Sequence, residues 1–271
     1  MASPLFTIPI ESTNGSIVCT NPDPTTQNIY LLTFSSPKDN RLTPAFINAL
    51  LLALDIIEHR FSRGVVITTS GIEKFYSNGL DLALALSTEG FFENWLYKLF
   101  RRFITYPMPT VSLLNGHAFA GGFMLGMYHD YRIQNPSRGF LCVNELDFGA
   151  PMRAPMVAIF REKLAASTVR DMILEAKRFT APEALKAGIV DGLGGLDEAL
   201  AFIKGRGLEK KAASGVYNTL REEMFPKLLG VLNDEAGNSR WREELEGIKE
   251  RTAEESKRNV ESWERKKSAK L

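Results

Sequence analysis

The sequence predicts an α/β protein with a helical C-terminal region. Three observations carry that expectation. Strand-length β-branched runs alternate with apolar runs of helical period between residues 16 and 191, Gly and Pro mark the junctions, and no strand-like run follows residue 205. The 271 residues are 44% hydrophobic and 24% charged, which excludes disorder over most of the chain and supplies a sizeable core. The change of character divides the chain into a core, residues 1–204, and a C-terminal region, residues 205–271.

Residues 16–20 and 29–34 are strand-like, and the turn-rich link Asn21-Pro22-Asp23-Pro24 between them makes a hairpin or meander. Thr43 caps and Pro44 opens a helix in which Phe46, Ile47, Leu50, Leu51, Leu54 and Ile57 recur at helical spacing. After Gly64, residues 65–69 form a short buried strand, so strand, helix and strand make a parallel βαβ unit. An aromatic-rich helix over 91–106 ends at Pro107-Met108-Pro109. It lines a pocket or packs in the core.

Strands follow at 110–114, 131–134 and 138–143, and helices at 154–160 and 168–176. Thr180-Ala181-Pro182-Glu183 starts a helix with a capping box, Gly188 stops it, and 189–191 reads as a short strand. The last segment, 239–267, is a mixed-charge helix with a thin apolar stripe of Trp241, Leu245, Ile248, Val260 and Trp263. It reads as an amphipathic arm that packs on the core or on a neighbouring subunit, a loosely attached tail being the alternative.

Charge and cysteine content exclude several function classes. Lys+Arg is 33 and Asp+Glu is 32, so there is no basic field for nucleic acid or an anionic membrane. No run approaches the roughly 18 apolar residues of a membrane span. Cys19 and Cys142 are far apart in apolar surroundings and read as buried free thiols of a reducing compartment. The N-terminal residues show neither a secretory signal nor the arginines of a transit peptide. Ala269-Lys270-Leu271 is a conservative variant of the S-K-L peroxisomal address, or else a polar tail.

Three segments carry chemistry. In Phe75-Tyr76-Ser77-Asn78-Gly79-Leu80-Asp81 a Gly turn leads from a strand into a helix and offers backbone N–H groups; a plain β-to-α turn is the alternative. Asn115-Gly116-His117-Ala118-Phe119-Ala120-Gly121-Gly122-Phe123 again presents a helix start, with small residues that let backbone approach a ligand or simply pack closely. In Asn144-Glu145-Leu146-Asp147-Phe148-Gly149 a carboxylate stands at a strand end among apolar residues, where its pKa rises and it becomes a base; Asp147, two residues on, is placed to face the same way. An exposed loop carboxylate is the alternative. GxSxG, HExxH and CxxC are absent, and His59, His117 and His129 lack metal-ligand spacing and read as structural.

In this order and spacing the three segments resemble the crotonase, or enoyl-CoA hydratase/isomerase, family over residues 29–192, and look especially like its plant and fungal peroxisomal Δ3,Δ2-enoyl-CoA isomerases. The resemblance implies a crotonase-like spiral of ββα turns with two roughly perpendicular sheets and a C-terminal helical trimerisation part. It implies an acyl-CoA thioester as substrate, its oxygen held by the N–H groups of Leu80 and Gly121, with Ser77, Asn78, Gly79, Asp81, Gly122 and Met124 around it. Hydratases of the family carry two glutamates; here one position is Glu145 and the other is Met124. One carboxyl suffices to move a proton from C2 to C4, so the resemblance implies an isomerase of fatty acid β-oxidation. It implies no metal and no cofactor, coenzyme A being part of the substrate. A homotrimer or hexamer, residence in the peroxisome, and recognition of Ala269, Lys270 and Leu271 by the import receptor complete the expectation. Another one-carboxylate crotonase, a hydrolase or dienoyl-CoA isomerase among them, and a non-catalytic acyl-CoA binder are the alternatives. The loop Ala150-Pro151-Met152-Arg153 departs from the family pattern, and the C-terminal third shares only its general character.

Overall fold

The computed structural model describes residues 3–11 and 13–268. They form two compact units, divided between Leu232 and Asn233. The larger begins with an antiparallel meander, β1 (Phe6–Ile10), β2 (Gly15–Thr20) and β3 (Ile29–Ser35). β1 carries no clear strand signal in the sequence, because Pro9 interrupts the pattern. Thr43 Oγ1 accepts from the Phe46 N–H and Pro44 opens α1 (Pro44–Arg60), which returns the chain to β4 (Val65–Ser70), parallel to β3.

From β4 onward the chain repeats one move. β4 joins a large sheet and the next strand, β5 (Phe75–Ser77), joins a small one. β6 (Thr110–Leu114) and β7 (His117–Phe119) do the same, then β8 (Tyr131–Gln134) and β9 (Leu141–Cys142). With β10 (Gly192–Leu193), the large sheet runs β1-β2-β3-β4-β6-β8-β10 and the small one β5-β7-β9, all parallel in the small sheet. Helices fill the connections: α2 (Leu82–Ser87), α3 (Tyr97–Ile104) entered through a π-helical turn at Phe92–Leu96, α4 (Gly121–Tyr128), α5 (Ala154–Lys163) and α6 (Ala166–Leu174). This is the expected ββα spiral. Both faces of the parallel part of the large sheet, β3-β4-β6-β8, are covered, as in parallel sheets generally. Tyr30, Leu32 and Phe34 enter the main core with α1, α3 and α4, whereas Ile29, Leu31, Val65 and Ile67 face Ala199, Ile203 and Leu208. The aromatic residues of 91–106 are almost all buried, which is the core reading of that helix.

Two strand expectations shift. Ile189 and Val190 are buried beside the end of α7 (Ala181–Lys186), where the Ile189 N–H donates to the Ala184 carbonyl; ladder pairing starts only at Gly192. Their apolarity is that of a helix ending folded onto the core. In 138–143 only Leu141–Cys142 is strand, because the Phe140 N–H is taken by His117 Nδ1 at 3.0 Å.

Beyond residue 204 no described residue lies in a strand. α8 (Leu196–Arg206), α9 (Leu208–Lys211), α10 (Tyr217–Met224) and α11 (Pro226–Asn233) belong to the larger unit rather than to a separate region. Arg221 shows why: it is buried, donates from Nε to the Ile104 carbonyl at 2.7 Å, and pairs with Asp130. The second unit is α12 (Glu235–Ser268), a continuous helix of 34 residues with no buried side chain. No described helix is long and apolar enough to cross a membrane. Ala269, Lys270 and Leu271 lie outside the described residues.

Candidate active site

The three chemistry-bearing segments leave the C-terminal ends of three adjacent parallel strands. β5 ends at Ser77, three residues before Leu80; β7 ends at Phe119, two before Gly121; β9 ends at Cys142, three before Glu145. Because the strands are parallel, all three residues emerge on one edge of the small sheet, with Gly121 in the middle.

Hydrogen bonds fix which way each amide points. The Gly79 carbonyl accepts from the Leu42 N–H at 2.9 Å. In a planar trans peptide the N–H is opposite the C=O, so the Leu80 N–H points away from Leu42. The Ala120 carbonyl accepts from the Phe123 and Met124 N–H groups, both at 3.0 Å, so it points into α4 and the Gly121 N–H points out of the helix start. As the first residue of α4, Gly121 has no intrahelical acceptor. Among the described residues neither amide donates to a protein acceptor. Ala120 takes φ 48° and ψ −126°, a costly conformation for a residue with a Cβ, and its own N–H is anchored on the Cys142 carbonyl at 2.9 Å.

The two turns touch. Gly79 has φ 79°, and a Cβ there would lie 2.9 Å from the Phe119 carbonyl oxygen and 3.1 Å from Gly121 N. A Cβ on Gly122 would lie 2.4 Å from the Ser77 carbonyl oxygen. Only glycine permits this approach of two backbones, which sets two free amides side by side.

Glu145 opens a 3-10 turn, Glu145–Phe148, and is 9% exposed. Its Oε2 has no hydrogen-bond partner among the described residues. Burial without a compensating cation pushes its carboxyl up to about 7. Asp147 is exposed instead of sharing the face of Glu145. The expectation assumed strand-like alternation, but three residues per turn send i and i+2 to different sides.

The remaining expected residues hold the turns together or pack in the core. Ser77 is buried; its hydroxyl donates to the Asn40 carbonyl at 2.7 Å and accepts from the Gly79 N–H at 3.2 Å. Asn78 donates to Asp39 Oδ2 at 2.7 Å, and Asp81 caps α2 through the Leu84 N–H at 3.1 Å. Gly122 is packed on Ser77. Met124 is 1% exposed, one turn into α4 and within the main apolar cluster. Among the described residues no group of three or more His, Cys, Asp or Glu could hold a metal ion.

Sequence reasoning missed the segment that carries the first turn. Asp39, Asn40, Arg41 and Leu42 lie beside residues 78–80: the Asn78 N–H donates to the Asp39 carbonyl at 2.9 Å, and Arg41 donates to the Leu80 carbonyl at 2.7 Å and to Asp39 at 3.0 Å. Asn40, at φ 53°, joins Ser36, Ser70 and Tyr76 through its amide. Its only sequence signal was an Asp-Asn pair in a polar loop.

The pattern of the enoyl-CoA hydratase/isomerase family matches residues 24–201. The chain is 32% identical to enoyl-CoA delta isomerase 3 of Arabidopsis thaliana, covering 78% of this chain and 94% of that protein. It is 35% identical to the peroxisomal enoyl-CoA delta isomerase 1 of the same plant, covering 74% and 88%. The fold is similar to that of human mitochondrial delta3-delta2-enoyl-CoA isomerase, with TM-score 0.68, 21% identity, and 87% and 98% of the chains covered. An enoyl-CoA hydratase from Mycobacterium marinum is as similar in fold, with TM-score 0.68, 22% identity, and 80% and 94% covered, so the fold alone does not separate the two reactions. Matched over most of its length by the family pattern and by relatives above 30% identity, the chain belongs to the enoyl-CoA hydratase/isomerase family.

Proposed function

We propose that this protein is an enoyl-CoA isomerase that converts a 3-enoyl-CoA to the 2-trans-enoyl-CoA. The carrying observation is a single buried carboxyl, Glu145, with no partner at Oε2, at the sheet edge where two unpaired amides also emerge, with apolar Met124 in the position of the hydratase glutamate. The relatives named enoyl-CoA delta isomerase support it. The thioester oxygen sits against the Leu80 and Gly121 N–H groups. Glu145 takes the C2 proton, the electrons spread over the dienolate, and the protonated carboxyl returns a proton to C4. The oxygen gains charge as the proton leaves, so the two donors bind the dienolate more tightly than the substrate; each contributes about 3 kcal/mol to the barrier. A carboxyl near 7 suits both halves, since it accepts and releases a proton at neutral pH.

The reaction as written needs no metal and no cofactor, because coenzyme A arrives with the substrate. Residence in the peroxisome, through recognition of Ala269, Lys270 and Leu271 by the import receptor, is supported by the relatives named peroxisomal. Assembly as a homotrimer or hexamer is the family expectation. The deciding assay adds 3-enoyl-CoA and follows the conjugated-enoyl absorbance. A rise supports the isomerase, release of free thiol instead would make it a hydrolase, and neither would make it a binder.

A further inference from the structure

Thr68 stands in β4, in the large sheet, away from the edge where the two amides emerge. It is fully buried, with its hydroxyl oxygen 2.8 Å from Tyr76 Oη and 2.9 Å from His129 Nε2. His129 Nδ1 is 2.8 Å from the Leu125 carbonyl oxygen. A carbonyl can only accept, so Nδ1 carries the ring proton. Burial pushes the imidazole down to about 3, so the ring is neutral and Nε2 is an acceptor. The Thr68 hydroxyl must therefore donate to His129, and having one proton it must accept from the Tyr76 hydroxyl. Every direction in the chain Tyr76 to Thr68 to His129 to Leu125 is fixed.

The ends of this chain belong to the two elements that carry the amides. Tyr76 lies in β5, four residues before Leu80, and His129 caps the C-terminal end of α4, whose first residue is Gly121. One hydroxyl on a third element thus ties the strand leading to one N–H to the helix beginning with the other. We propose that Thr68, acting through Tyr76 and His129, is a positioning residue that sets the spacing of the Leu80 and Gly121 donors. The inference rests on reading those amides as the thioester site.

The chain of hydroxyls suits a positioning role better than a filling one. Valine has the shape of threonine, and phenylalanine differs from tyrosine by one oxygen, so an apolar version would fill the same space. Buried polar chains commonly give no net stability over an apolar replacement of like shape. Their gain is direction: a satisfied chain holds one arrangement, whereas apolar contacts permit small slides. Displacement of a reacting group by about 1 Å costs about a hundredfold in rate, so an oxyanion pair is sensitive to slides that a core tolerates.

The test compares Thr68→Val, Tyr76→Phe and Thr68→Ser with wild type. For each, kcat and KM for 3-enoyl-CoA, the Kd of a saturated acyl-CoA of equal length, and Tm are measured. The expected result is a kcat lower by about tenfold or more in Thr68→Val and Tyr76→Phe, with the Kd of the saturated acyl-CoA unchanged. Thr68→Ser, which keeps the hydroxyl, should restore most of kcat. Tyr76→Phe leaves the Thr68–His129 bond in place, so it decides the matter if Thr68→Val does not fold. Folded variants with wild-type kcat, or a loss matched by Thr68→Ser, would overturn the positioning role. A wild type inert toward 3-enoyl-CoA would instead overturn the functional reading on which it stands.

Discussion

The backbone N–H of Leu42 reaches the carbonyl of Gly79 across 2.9 Å, and this bond turns the Leu80 amide toward the edge from which Gly121 and Glu145 also emerge. The Leu80 amide is thus oriented from outside its own turn, by a segment that precedes α1. Gly79 makes the arrangement possible through its positive φ and its contact with Phe119 and Gly121.

Gly79→Ala should therefore lose activity out of proportion to stability. The positive φ costs an L-residue about 1–2 kcal/mol, and the methyl must push Phe119 and Gly121 away. The expected outcome is a folded protein with a lower Tm and kcat reduced by about a hundredfold, read by calorimetry and the conjugated-product assay. Wild-type kcat in a folded Gly79→Ala protein would show that the spacing of the two turns does not matter.

Much of this was legible in the sequence. The β3-α1-β4 unit, the ends of α1 and α7, and the three segments around Leu80, Gly121 and Glu145 were visible, because caps, Gly turns and apolar period are local signals. The short strands β5 and β7 were not, since three residues carry no period of their own and their pairing is set by neighbours; β9 showed only as part of the longer run 138–143. Arg41 and Leu42 escaped for a related reason. Their contribution is a backbone N–H and a bond to a carbonyl 39 residues away, and neither leaves a mark on residue type. Ser77 sits in the expected segment, but its hydroxyl is engaged by Asn40 and Gly79, so it shapes the turn.

Glu145 should also control stability against pH. Its folded pKa, about 7, stands above the ordinary 4.5 because burial penalises the charged form. Between those values the folded protein binds the proton more tightly than the unfolded chain, so this group's contribution falls as pH rises through the window. The difference corresponds to about 3 kcal/mol. Glu145→Gln should therefore be more stable than wild type at pH 8 and about equal to it near pH 4.5, as measured by urea denaturation. A variant less stable than wild type at pH 8 would mean that the charged carboxylate is compensated.

Met124→Glu tests the choice between isomerase and hydratase. Met124 is buried in the first turn of α4, so the new carboxyl is taken up neutral or raises the pKa of Glu145. The expected outcome is a less stable protein whose hydration of 2-enoyl-CoA rises above the low wild-type level as its isomerisation falls. Measured together, 3-hydroxyacyl-CoA formation and Tm decide. Wild-type hydration equal to wild-type isomerisation would contradict the assignment, and a folded variant with no change in either rate would place residue 124 away from the reacting carbons.

Deleting Ala269, Lys270 and Leu271 should leave kcat and KM unchanged and move a singly expressed protein from peroxisomes to cytosol, because such an address is read by a receptor. Import of the deletion protein in cells lacking a full-length copy would contradict that role.

In the proposed mechanism Glu145 alone carries the proton between C2 and C4. The deciding measurement is the rate at which Glu145→Gln forms conjugated product from 3-enoyl-CoA, on protein shown to bind a saturated acyl-CoA as wild type does. The amide keeps the shape and cannot take the proton, so the rate should fall by at least about a hundredfold. Turnover of Glu145→Gln at the wild-type rate would mean that another group moves the proton.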